Sequence, residues 1–72
     1  MFIIKKTTKA GTENTGIECV TINEAKAECV ARTEGKVPAS DDEDGDYFRL
    51  EVYEVLDNGD LDQVYATDCF EE

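Results

Sequence analysis

The chain has 72 residues, 40% of them hydrophobic and 35% charged, and its 18 acidic and 7 basic side chains leave a net charge of -11. A chain of this length makes about one small domain that buries roughly 60% of its unfolded surface, so one thin core over 1–72 is expected. The charge repels phosphate backbones and anionic headgroups and attracts basic protein surfaces, and no apolar run approaches the ~20 residues of a membrane-spanning helix; direct nucleic-acid binding and membrane insertion are set aside.

Phe2-Ile3-Ile4-Lys5-Lys6-Thr7-Thr8 is rich in β-formers and reads as a first strand. Lys9 to Gly16 has turn chemistry, with two glycines and an Asn that tolerate positive φ, and it is expected to loop to a short second strand at Ile17–Val20. At Thr21 the period changes. Thr21-Ile22-Asn23-Glu24 matches a capping box, good helix formers follow, and Gly35 stands where a left-handed cap ends a helix, so the spacing predicts a helix over 22–34. Ile22, Ala25, Cys29 and Thr33 share one face, widened by Val30 and Ala31; side chains this small let the helix lie close on a sheet. Glu24, Lys26 and Glu28 fall on the exposed side, and Pro38 prevents the helix from continuing.

Two β-rich runs, Tyr47 to Leu56 and Leu61 to Phe70, flank Asp57-Asn58-Gly59-Asp60. Asn-Gly favours a two-residue type I′ turn, which predicts a hairpin. That turn would pair Leu56 with Leu61, Val52 with Tyr65, Leu50 with Thr67 and Phe48 with Cys69 on a core face. The other face would pair Val55 with Asp62, Tyr53 with Val64, Glu51 with Ala66, Arg49 with Asp68 as an ion pair, and Tyr47 with Phe70. Tyr47, Tyr53, Val64 and Phe70 then leave more apolar surface than a solvated face needs, and they are the candidate apolar interface, for a homodimer or a protein partner. The expected fold is α+β, a ββαββ chain whose antiparallel sheet of about four strands carries one helix on one face.

The charge is lopsided. Residues 1–36 hold six basic and five acidic side chains, a net of +1, whereas residues 37–72 hold one basic and thirteen acidic ones, a net of -12. Asp41, Asp42, Glu43, Asp44 and Asp46 place five carboxylates in six positions, and their mutual repulsion favours an open, solvated loop. Three cysteines without CxxC spacing, and a first apolar run too short for a signal peptide, point to a reducing cytoplasm. With no histidine a Cys-His nucleophile is impossible, and carboxylates clustered in water lack the raised pKa of a general acid, so no catalysis and no cofactor is expected.

Two chemistries suit the acidic run. On the EF-hand template Ser40, Asp42 and Asp44 take positions one, three and five, Gly45 six, Asp46 seven and Glu51 twelve, which makes 40–51 a minor candidate for calcium. The template departs at Ser40, where an Asp is usual, and at its flanks, where Pro38 and a β-rich run replace two helices. The favoured chemistry is imitation of a nucleic acid. DNA advances ~3.4 Å per phosphate along a strand and an extended chain ~3.3 Å per residue, so carboxylates can match phosphate density. Asp41, Asp42, Glu43, Asp44 and Asp46 would form one patch, Glu51, Asp62 and Asp68 would extend it along the hairpin's second face, and Asp57 and Asp60 would mark the far tip.

In size, in the acidic run, and in the helix-plus-sheet pattern from Ile17 to Tyr65 with its Glu24-Ala25-Lys26 and Asp57-Asn58-Gly59, the chain resembles the small acidic inhibitors that phages make against host defence systems, anti-CRISPR proteins and other DNA mimics among them. The resemblance implies stoichiometric inhibition of a basic nucleic-acid-binding protein or complex in the host cytoplasm, without catalysis or cofactor. The alternative is a small oligomeric accessory or structural domain that uses the second face of the C-terminal hairpin.

Overall fold

A computed structural model describes residues 1–39 and 46–71. The elements are β1 (Phe2–Thr8), β2 (Gly11–Cys19), α1 (Ile22–Thr33), β3 (Tyr47–Val55), β4 (Leu61–Ala66) and β5 (Phe70–Glu71). Two hairpins are joined through the helix, and β1 pairs antiparallel with β3, giving the sheet order β2-β1-β3-β4 with β5 also on β3. The α+β class, the antiparallel sheet and the single helix are as expected.

The first hairpin turns earlier than its glycines suggest. Its turn is Lys9-Ala10, and β2 begins at Gly11, so Gly11 to Gly16 belong to the strand and not to a loop. The pairing steps from Ile4–Ile17 to Lys5–Asn14, which leaves Thr15 and Gly16 as extra residues in β2. Gly16, at φ 80°, supplies the left-handed backbone of this bulge. The Thr15 hydroxyl donates to the Ile4 carbonyl at 2.7 Å, and the Gly16 N–H donates to Asn14 Oδ1 at 3.0 Å, so polar side chains replace missing ladder bonds.

The capping box forms as its residues dictate. The Glu24 N–H donates to Thr21 Oγ1 at 3.2 Å, and the Val20 N–H donates to Glu24 Oε2 at 3.1 Å. Ala25 and Cys29 are buried against the sheet, with Ile22 and Thr33 half-buried beside them. Val30 and Ala31 do not widen that face, and Val30 is 62% exposed. After the helix, residues 37–39 run along β5: the Ala39 N–H donates to the Cys69 carbonyl, the Glu71 N–H donates to the Val37 carbonyl, and Pro38 bridges to Phe70. The helix itself ends at Thr33, with Gly35 at φ 78° just beyond its cap, and Pro38, having no N–H to pair, sits at a sheet margin.

The second hairpin keeps its place but changes its register. Leu56 and Asp60 close a three-residue loop, with the Leu56 N–H donating to the Asp60 carbonyl and the Gly59 N–H to the Leu56 carbonyl. Gly59 sits at φ 86° and Asn58 has no positive φ, so the turn is the three-residue kind that ends in a left-handed glycine, not type I′. Val55 therefore pairs with Leu61, Glu54 with Asp62 and Tyr53 with Gln63; Val64 is an extra residue, and beyond it Val52–Tyr65 and Glu51–Ala66 pair as expected. Leu50 still faces Thr67, each N–H reaching across, to a carbonyl one way and to Thr67 Oγ1 the other. The strand then breaks at 67–69, and β5 pairs Phe48 with Phe70 and Tyr47 with Glu71, in place of Phe48–Cys69 and Tyr47–Phe70.

The core lies between α1 and the sheet, built from Ile4, Cys19, Ala25, Cys29, Phe48, Leu50 and Val52. Val64, Tyr65 and Phe70 pack against it, and the Phe48 and Phe70 rings lie 6.1 Å apart. The ammonium groups of Lys6 and Lys36 stand 5.2 and 6.0 Å from the Phe48 ring, so their stems roof this end of the core. Leu56 and Leu61, expected on the core face, are 37% and 41% exposed, because the three-residue loop turns Leu61 to the opposite side of the sheet.

Candidate functional site

The sheet has one face under the helix and one that no described element covers. Alternation sends Ile3, Lys5 and Thr7 of β1 and Arg49, Glu51, Tyr53 and Val55 of β3 to this open face, where register sets Ile3 beside Tyr53, Lys5 beside Glu51 and Thr7 beside Arg49. At its centre Glu51 is only 3% exposed. Its cover is neighbouring side chains, one layer thick, and those side chains are also its partners. Oε1 accepts from Thr7 Oγ1 at 2.7 Å and from the Tyr53 hydroxyl at 3.2 Å; Oε2 accepts from Arg49 Nε at 3.1 Å and lies 2.9 Å from Arg49 Nη2. Burial alone raises the Glu51 carboxyl, but the Thr7 hydroxyl, the Arg49 charge and the Tyr53 hydroxyl together hold it below its ordinary value. Burial, reinforced by the Glu51 charge beneath it, pushes the Tyr53 phenol up.

This arrangement corrects the expected roles of two residues. Glu51 is an internal anchor and not a carboxylate offered to a partner. Arg49 takes Glu51, two residues along its own strand, and not Asp68 across the hairpin, because the chain leaves the ladder at 67–69 before Asp68 could sit opposite.

The other carboxylates are spread around the periphery. Asp41, Asp42, Glu43 and Asp44 lie outside the described residues, and Asp46 is exposed immediately before β3. Asp57 and Asp60 are exposed at the hairpin tip, where Asn58 binds Asp60 through its side-chain amide at 3.0 Å. Asp62 pairs with Glu54 and so falls on the helix side of the sheet, not on the second face. Asp68 is exposed in the 67–69 segment, where its carbonyl accepts from the Thr67 hydroxyl. Among the described residues none of Asp46, Asp57, Asp60, Asp62 and Asp68 is in an ion pair; the ion pairs there are Arg32–Glu28 and Arg49–Glu51. One acidic strip along the hairpin's second face, as expected from the type I′ register, does not form.

The candidate apolar interface divides. Tyr47 and Tyr53 are on the open face, but Val64 and Phe70 belong to the helix side and pack on the core. The bulge at Val64 turns its side chain over, and the break at 67–69 shifts Phe70 by one place. In their stead Ile3, Val55 and Leu61 occupy the open face. Sequence reasoning missed Ile3 because it held no information on which strand lies beside β3; the alternation of Ile3 with Ile4 was the available signal.

For metal or covalent chemistry the described residues offer little. No group of three potential ligands occurs among them, and Glu51, the bidentate twelfth residue of the calcium template, has both oxygens committed inside the sheet. Cys19 and Cys29 are free and buried; burial raises both thiols, with Glu28 adding to each, which is the reverse of the activation a nucleophile needs. Among the described residues no helix is long and apolar enough to cross a membrane.

Fold and site together define a small acidic α+β domain whose antiparallel sheet has one face that no described element covers, with exposed carboxylates around its periphery. Compared with family models, with characterised proteins and with solved structures, the chain matches none of them.

Proposed function

We propose that the protein is a non-catalytic inhibitor that presents an acidic, nucleic-acid-like periphery to a basic nucleic-acid-binding protein or complex, as phage anti-CRISPR proteins of the DNA-mimic kind do. The observation that carries this reading is the set of exposed carboxylates at Asp46, Asp57, Asp60, Asp62 and Asp68, which make no ion pair among the described residues, in a half-chain of net charge -12. Asp46 and the Asp57–Asp60 tip stand at opposite ends of β3, roughly 30 Å apart at ~3.3 Å per residue, a distance spanned by about nine phosphates of a DNA strand. A basic groove gains counterion release from such a surface as it does from a phosphate backbone. The free thiols support action in a reducing cytoplasm, that of a host cell.

Displacement of a fluorescent DNA duplex from basic DNA-binding complexes, RNA-guided effectors among them, tests the proposal. The expected result is stoichiometric displacement at about 50 mM salt that weakens steeply towards about 300 mM. Changing Asp41, Asp42 and Asp44 together to Asn reduces it by about tenfold or more; a triple variant that competes as well as the parent excludes the acidic run as the contact.

A further inference from the structure

We infer that the outer edge of β4 receives an extended basic segment of the partner, which pairs with it as an added strand. The inference takes the partner's chemistry from the acidic-inhibitor reading and names where and how the contact is made. In the strand order β2-β1-β3-β4, β2 and β4 are the two edges of the sheet, and an edge presents backbone N–H and C=O groups with which an extended chain can pair. The turn fixes which groups β4 presents. The Leu56 N–H donates to the Asp60 carbonyl, so Leu56–Asp60 is a hydrogen-bonded pair. Opposed residues alternate in an antiparallel ladder, so Val55–Leu61 is a non-bonded pair, Glu54–Asp62 a bonded one and Tyr53–Gln63 non-bonded again. Leu61 and Gln63 therefore aim their N–H and C=O groups away from β3, and among the described residues no strand lies beyond them.

Charge selects this edge over β2 and selects a basic occupant. Residues 2–19, the first hairpin, hold three basic and two acidic side chains, whereas residues 47–71 hold one basic and seven acidic ones. Beyond its bulge β2 is also closed by its own side chains, since the Gly16 N–H donates to Asn14 Oδ1 and the Ile17 N–H to Thr15 Oγ1. On the outer half of the second hairpin stand Glu54, Asp57, Asp60 and Asp62, and Glu54 is directly opposite Asp62, a like-charge pair that a neighbouring cation relieves. A strand added to β4 sends alternate side chains to the face of Asp62, so a Lys or Arg there stands about one strand spacing, ~4.8 Å, along the sheet from that carboxylate. The side chains between them fall on the opposite face, beside Leu61, which is 41% exposed. The occupant that fits is a segment alternating cationic and apolar residues. A second copy of β4 does not fit, because it brings another Asp62.

The probe is a synthetic peptide of about ten residues alternating Lys and Val, and its control is the same peptide N-methylated along its backbone, which keeps every charge but donates no backbone hydrogen bond. Fluorescence anisotropy with the full chain at about 50 mM salt should show the unmethylated peptide bound about tenfold or more tightly than the control. Amide exchange followed by nuclear magnetic resonance should slow at Leu61 and Gln63 when the peptide is added and stay unchanged at Thr12 and Asn14 of β2. Gln63→Pro removes an outward N–H without breaking a bond to β3, so it should weaken the peptide about tenfold while circular dichroism keeps the parent spectrum. The exchange measurement on the parent chain decides the matter even where that variant does not fold. Equal binding of the two peptides, no binding of either, or unchanged exchange at Leu61 and Gln63 at saturation overturns the inference. Displacement of the DNA duplex separates it from the inhibitor reading: a chain that displaces duplex but fails these tests keeps that reading and loses the β4 site, and one that passes them without displacing duplex keeps the β4 site and loses the reading.

Discussion

Glu51 concentrates the residue-scale chemistry. A carboxylate on a strand facing no helix is ordinarily a solvated group, yet here Thr7, Arg49 and Tyr53 enclose it. Glu51→Ala leaves those three groups without their acceptor, and a loss of about 1–2 kcal/mol in urea unfolding is expected, towards the low side because Arg49 is half exposed and rehydrates. Folding lowers the Glu51 pKa, so the ionised group contributes stability above its ordinary value of 4.5, and that contribution disappears as the pH falls through the lower folded value. The stability difference between parent and Glu51→Gln should therefore shrink on acidification from about pH 6 to about pH 3. The same substitution removes the charge beneath Tyr53, and an ultraviolet titration should show that phenol ionising at lower pH than in the parent.

At the scale of elements, caps and bulges decide what the strands and helix present. Thr21→Ala removes the hydroxyl that accepts from the Glu24 N–H, and an expected cost of about 1 kcal/mol follows, measurable as a lower urea midpoint with unchanged slope. Gly59→Ala forces a Cβ into left-handed backbone at φ 86°, which costs about 1–2 kcal/mol although the position is otherwise open. Asn-Gly marked the second turn correctly but not its length; the extra residue at Gly59 and the extra residue at Val64 each shift the pairing by one. A single shift exchanges the faces of a strand, which is why Leu61 and Val64 lie opposite to their expected sides.

For the whole molecule the thin core and the large charge set the balance. Ile4 and Val52 are paired neighbours at the centre, both fully buried, and Ile4→Ala should cost about 2–5 kcal/mol. At ~0.05–0.15 kcal/mol per residue that is a large share of the stability of a 72-residue domain, so thermal scans should show the variant largely unfolded near 37 °C. Self-repulsion among 18 acidic side chains opposes compaction, and raising salt from about 20 to about 300 mM should raise the unfolding midpoint of the parent.

The sequence by itself determined the elements that local chemistry specifies: the capping box of Thr21 and Glu24, the helix stop before Gly35, the hairpin at Asn58-Gly59, and the core alternation of Phe48, Leu50 and Val52. Each depends on residues a few positions apart, or on a period that one strand carries alone. The placement of β1 beside β3, the bulges at Thr15-Gly16 and Val64, and the strand break at 67–69 arise from pairings between distant segments, and only the tertiary structure decided them. For that reason the acidic composition was legible from the chain, while the withdrawal of Glu51 from it, to anchor the sheet face that no described element covers, was not. That depends on Thr7, 44 positions away, donating to its carboxylate.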